Sequence, residues 1–212
     1  MIQKNLLVWI FALSLFSANG QQNPFVGSEK MVSKNYDFSN FDKISILDLD
    51  GVIEIEVGKP FSVETKIKDK YTSILEVTEM NGELTIVFKY TKDNNKYIEN
   101  PNIKVKITCP SLANLYKRGN SNVSVTISNK SAFTVINEGN GSAIFKGFVK
   151  QLSLKNDGNG KIDAKKLLAD TVFVNSFGNG DVIVNAKDEL KGERNGNGKI
   201  IQNGKAVMMD KR

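Results

Sequence analysis

Residues 133–146 read FTVINEGNGSAIFK. Phe133 and Val135 sit at alternate positions before Gly139-Asn140-Gly141, and Ala143 and Phe145 sit at alternate positions after it. Apolar residues at a period of two mark strands with one face in a core. The Gly-Asn-Gly between them marks a tight corner. The arrangement recurs at Gly119-Asn120-Ser121, Gly158-Asn159-Gly160, Gly178-Asn179-Gly180 and Gly196-Asn197-Gly198, with the five corners 20, 19, 20 and 18 residues apart. The flanks repeat as well: Leu152/Leu154 and Val172/Val174 precede their corners, and Ile162/Ala164 and Val182/Val184 follow theirs.

A fixed period near twenty reads as stacked supersecondary units that bury their apolar sides against one another. Strands stack at about 4.8 Å per layer. Hairpin turns would set unlike partners opposite each other, whereas parallel stacking sets identical corners on top of one another and so explains why each is nearly the same tripeptide. The expected fold is therefore all-β, a right-handed parallel β-helix or solenoid with ~20-residue rungs. Glycine is expected at the corners because it tolerates positive φ. Asn120, Asn140, Asn159, Asn179 and Asn197 are expected to form a structural ladder of side-chain amides along the stack. In the last unit Gly192, Gln202 and Gly204 replace apolar residues, as a cap would.

Residues 27–110 alternate without that long period. Lys43–Val57 (KISILDLDGVIEIEV), Phe61–Ile67 and Asn102–Thr108 read as strands, and Asn81-Gly82 between two more reads as a two-residue hairpin turn. An irregular or smaller β-solenoid is expected there, preceding the regular one. At the front, Lys4 and the apolar run Leu6–Phe16 (LLVWIFALSLF), followed by Ala18-Asn19-Gly20, read as a signal peptide. Eleven apolar residues are too few to span a membrane. The division is 1–20 signal peptide, 21–110 N-terminal β region, 111–207 C-terminal repeats and 208–212 tail. No transmembrane segment is expected after signal cleavage. The expected location is the periplasm, cell surface or extracellular space.

The chain contains no His and one Cys, and its net charge is +6. Removing Lys4 with the signal leaves +5. Without His, Ser-His-Asp and Cys-His catalysis and His-based zinc sites are excluded. Cys109, within Ile107-Thr108-Cys109-Pro110, fits a buried strand position better than a nucleophile. The lysines are scattered, and no basic run interleaves with aromatics, so nucleic acid is not an expected partner.

Asn40-Phe41-Asp42-Lys43-Ile44, Asp50-Gly51-Val52, Asn81-Gly82-Glu83-Leu84-Thr85-Ile86 and Val105–Leu112, followed by the Gly-Asn-Gly series, resemble the head GIN domain family, the "putative auto-transporter adhesin" proteins. The likeness runs from about Lys30 to Val207 and implies a β-helical, exported protein. It also suggests that Leu49-Asp50-Gly51 is a degenerate corner. The resemblance brings no catalytic residues.

β-Helical enzymes degrade polysaccharides with paired carboxylates on an outer face. The outward positions after the corners read Asn122, Ser142, Lys161, Asp181, Lys199 and Ser124, Ile144, Asp163, Ile183, Ile201, with no acidic pair. Neither catalysis, a cofactor nor a metal is expected. Ile144, Ile183 and Ile201 are expected to be covered by the N-terminal strands. Tyr97, Tyr116, Phe173 and Phe177 are the candidate ligand-binding residues, suited to stacking on sugar rings. The leading reading is a non-enzymatic cell-envelope protein for adhesion or for binding a glycan or envelope protein. A self-assembling module forming homo-oligomers through open strand ends is the alternative. A polysaccharide-degrading enzyme has least support.

Overall fold

A computed structural model describes residues 28–89, 98, 100–128 and 131–210. The signal-peptide segment and Tyr97 lie outside the described residues.

Among the described residues fifteen strands join in one sheet. They are β1 (Met31–Tyr36), β2 (Lys43–Leu49), β3 (Gly51–Val57), β4 (Ser62–Lys68), β5 (Leu75–Met80), β6 (Glu83–Phe88), β7 (Ile103–Cys109), β8 (Asn114–Gly119), β9 (Asn122–Ser128), β10 (Ala132–Asn137), β11 (Ala143–Asn156), β12 (Ile162–Ser176), β13 (Val182–Arg194), β14 (Ile200–Gln202) and β15 (Met208–Asp210). Among the described residues a single 3₁₀ turn, Asp69–Tyr71, interrupts them.

The expectation of a right-handed parallel β-solenoid is corrected. The sheet is mixed and curls into a half-barrel: β1 and β7 both pair antiparallel with β4, and β5 pairs antiparallel with β6. The local causes are visible. Asn81 and Gly82 both have positive φ, 53° and 77°, the two-residue geometry that folds β5 back on β6. A reversal around Gly58 (φ 95°) returns β4 against β7. The N-terminal half is not a separate smaller solenoid either. β3 pairs with β9 and β2 with β8, so both halves share one sheet and one core.

The strands beyond β7 are parallel. β8 and β10 enter the corners and β9 leaves the first, which defines an entry wall and an exit wall. β11, β12 and β13 belong to both: the first half of β11 pairs with β9 and its second half with β10. The bend falls at Gly147 (φ 115°), where a Cβ would lie 1.8 Å from the Ile127 carbonyl oxygen. Inside the exit wall, Val105, Ile53, Val123, Ala143, Ile162, Val182 and Ile200 stand in register. Facing them, the entry wall aligns Leu84, Ile44, Leu115, Val135, Leu154, Val174 and Gly192. All these aliphatic side chains are buried except Ile200, which is half-buried. Each such burial stabilises the fold by about 1.5–3 kcal/mol for a large aliphatic side chain.

The corner glycines have a different cause from the expected one. A Cβ on Gly139, Gly158, Gly178 or Gly196 would sit 2.0–2.1 Å from the carbonyl oxygen of the glycine one corner below. Positive φ is found at Gly119 (108°) but not at those four. Close approach of stacked backbones, not turn conformation, selects glycine there.

Candidate functional site on the outer entry wall

Side chains at the second outward column of the entry wall come from Ser45, Tyr116, Ile136, Lys155 and Asn175, in register from β2 through β8, β10 and β11 to β12. The neighbouring column carries Lys43, Asn114, Thr134, Ser153, Phe173, Lys191 and Met209. Tyr116 and Phe173 therefore lie three ladder steps apart, roughly 14 Å along the stacking direction. Phe177 follows four residues after Phe173 and is 43% exposed. Strand alternation brings these three of the four candidate aromatics to one outer face.

The polar groups around them are already engaged. The Tyr116 hydroxyl donates to the Glu138 carboxylate, which raises the phenol above its ordinary pKa. Arg118 forks onto Asp48, with Nε–Oδ1 3.0 Å and Nη2–Oδ2 2.6 Å. Lys155 pairs with Asp157. The Lys191 ammonium stands 5.6 Å from the centre of the Phe173 ring and also pairs with Glu189 at 2.6 Å. The wall thus carries aromatic rings framed by charge pairs of both signs.

The corner asparagines hydrogen-bond in sequence. Asn197 donates to Asn179 (2.8 Å), Asn179 to Asn159 (2.7 Å), Asn159 to Asn140 (2.8 Å) and Asn140 to Asn120 (3.1 Å). Asp50 and Gly51 stack beneath them, because Leu49 registers with Gly119 and Val52 with Asn122.

On the exit wall, the N-terminal strands do not cover the isoleucine column. β3 and β7 extend that wall instead of lying over it, and Ile144 and Ile201 remain 44% and 38% exposed. Asp163 lies 3.4 Å from Lys165 and 4.0 Å from Lys161, and Asp181 accepts the Lys199 amide at 2.8 Å. Among the described residues no group of three or more His, Cys, Asp or Glu is placed to hold a metal ion. Cys109 is buried, and its thiol is pushed up to about 11 by burial, with a smaller contribution from the charge of Asp42.

A second polar feature lies inside. Lys117, Asn137, Asn156 and Ser176 stand in register on the inner face and are all buried, Lys117 at 1% exposure. The Lys117 ammonium donates to Asn137 Oδ1 (3.1 Å) and the Gly141 carbonyl (2.8 Å). Asn137 donates to Asn156 (2.7 Å), and Asn156 to the Gly180 carbonyl (2.9 Å). Burial lowers the Lys117 pKa to about 8. Reading the sequence for outward residues misses this column. Its signal is a polar residue at an inward position two residues before each corner, at 117, 137, 156, 176 and 194.

The family profile described as "Putative auto-transporter adhesin, head GIN domain" matches residues 40–206. The chain belongs to the head GIN domain family. Solved structures of similar shape include a "putative adhesin" from Bacteroides fragilis NCTC 9343, 20% identical with TM-score 0.60, covering 86% of this chain and 98% of that one. A "putative lipid binding protein" from Parabacteroides distasonis ATCC 8503 is 17% identical with TM-score 0.53 and covers 86% and 98%. At these identities the likeness establishes the fold alone. No curated protein matches the chain. Among the described residues no helix is long and apolar enough to cross a membrane.

Proposed function

We propose that this head GIN domain protein is exported and works by adhesion, binding a carbohydrate of the cell envelope or of a facing surface without chemical turnover. The observation that carries the reading is the placement of Tyr116, Phe173 and Phe177 on one outer wall, with Asp48–Arg118 and Glu138 beside Tyr116 and Lys191 over Phe173. Aromatic rings present an apolar face to the C–H face of a sugar, and flanking carboxylates and guanidinium groups bond its hydroxyls. A sugar stacking on Phe173 displaces Lys191, whose amine then becomes a donor to the ligand. A family described as adhesins supports a surface role. The lysines around Asp163 and the backbone bond to Asp181 argue against the paired acid and base of a glycosidase.

Glycan-array binding of the mature chain tests this. Binding to a defined glycan set is expected, lost in the Tyr116→Ala/Phe173→Ala double variant while its unfolding midpoint stays within a few degrees of wild type. Silence across bacterial and host glycans, or undiminished binding by the variant, would refute it.

A further inference from the structure

The ladder stops at β14 and β15, two strands of three residues each on β13. The inward columns that carry Val174 and Ser176 on β12 carry Gly192 and Arg194 on β13. A cavity of about 500 Å³ opens at this end, within the roughly 300–1,000 Å³ of small-ligand sites. Gly192, Ile200 and Met208 form its apolar part, and Arg194, Lys199 and Asn197 its polar rim. Gly192 keeps the floor open: a Cβ there would meet Met208 Sδ at 3.1 Å and Ile200 Cδ1 at 3.2 Å.

Charge decides what fits. Among the described residues neither Arg194 nor Lys199 is in an ion pair. The Arg194 guanidinium reaches only the Gly196 carbonyl, at 3.1 Å. Of the neighbouring acids, Asp181 accepts from the Lys199 backbone amide and Glu193 from the Asn195 side chain. Two cations beside an apolar floor call for an anion joined to an apolar group. Exposed Ile201 and Met208 could also suggest a second copy stacked end to end. A two-fold contact, however, would bring two copies each of Arg194 and Lys199 into one interface, and like charges across an interface oppose association.

The geometry points to a binding site for an anionic amphiphile at the C-terminal end of the sheet. The phosphate or carboxylate lies between Arg194 and Lys199, and the alkyl chain lies on Gly192, Ile200 and Met208. The site shares no residue with the aromatic wall, so it stands or falls independently of adhesion.

Calorimetric titration of the mature chain with octyl phosphate, below its micelle concentration, tests it against octyl glucoside and inorganic phosphate. Octyl phosphate is expected to bind at least about tenfold more tightly than either, because each of them lacks one half of the recognition. Arg194→Gln and Lys199→Gln should each weaken it about fivefold, as exposed charge-assisted bonds do. Gly192→Val should abolish the advantage of the alkyl chain. If that variant does not fold, the two glutamine variants at exposed positions carry the test. The Tyr116→Ala/Phe173→Ala variant should bind octyl phosphate normally. Equal binding of octyl glucoside, equal binding of inorganic phosphate, or full affinity in the Arg194→Gln/Lys199→Gln double variant would overturn the site.

Discussion

Lys117 is the one described lysine that the fold buries among neutral partners, and this makes stability depend on pH in a direction opposite to that of most lysines. Its ammonium has the Asn137 side chain and the Gly141 carbonyl as acceptors and no carboxylate. The folded pKa falls from 10.5 to about 8 through burial. In the unfolded chain the same amine stays protonated up to about 10.4. Between those values the unfolded state holds more protons than the folded one, so stability rises with pH in that window. At about 1.4 kcal/mol per tenfold change in proton affinity, the charged buried form costs about 3 kcal/mol below pH 8. The gain is about 1 kcal/mol between pH 7 and 9 and about 2 kcal/mol by pH 10. Urea unfolding of the wild type and of Lys117→Met at pH 7, 8, 9 and 10 isolates the effect, because the other titrating groups are common to both. The wild-type stability minus that of the variant should climb by those amounts. A difference flat from pH 7 to 10 would refute the reasoning and mean that the ammonium finds compensation not seen among its two partners.

Three further outcomes follow from the packing. Gly158→Ala places a methyl carbon 2.1 Å from the Gly139 carbonyl oxygen, so calorimetry should show a loss of about 3 kcal/mol, at the upper end for overpacking. Asn159→Ala removes the bond given to Asn140 and the one taken from Asn179; at an exposed site the pair is worth about 1 kcal/mol, read as a lower urea midpoint with an unchanged slope. The Cys109 thiol, buried and raised to about 11, should react with a disulfide reagent at pH 8 only as fast as the protein unfolds, and rapid labelling of the native chain would show the strand to be open.

Much of the C-terminal half was legible because its signals are strictly local. Every corner tripeptide lies between two strands of period two, and the inward residues Val135, Leu154 and Val174 fall into one column. Outside the Asn81-Gly82 hairpin, the direction of pairing in the N-terminal half was not legible. Alternation is the same for parallel and antiparallel strands, so Ser62–Lys68 and Ile103–Cys109 carry nothing in their own pattern to say that they run antiparallel. Reading the stacked corners as a right-handed parallel solenoid, with an irregular one before it, therefore gave a coil where the sheet is mixed. The glycine rule failed for a related reason: the clash that fixes Gly158 is with a carbonyl 19 residues away, invisible to a local reading of φ. At the candidate site, alternation was enough to set Tyr116, Phe173 and Phe177 outward. It could not show that Glu138, Arg118 and Lys191 frame them, nor that Lys117 points into the core, because these depend on which strands become neighbours.

The proposed adhesive wall is tested most directly by coating beads with residues 21–212 and counting those held on cells that carry a glycan bound on the array. The account predicts that Tyr116→Ala/Phe173→Ala on the entry wall lowers retention at least about fivefold, the loss of two stacking contacts of ~0.5–1.5 kcal/mol each. Ile144→Ser/Ile183→Ser on the exit wall should leave retention unchanged. Equal retention by wild type and the entry-wall variant, or a loss confined to the exit-wall variant, would contradict it.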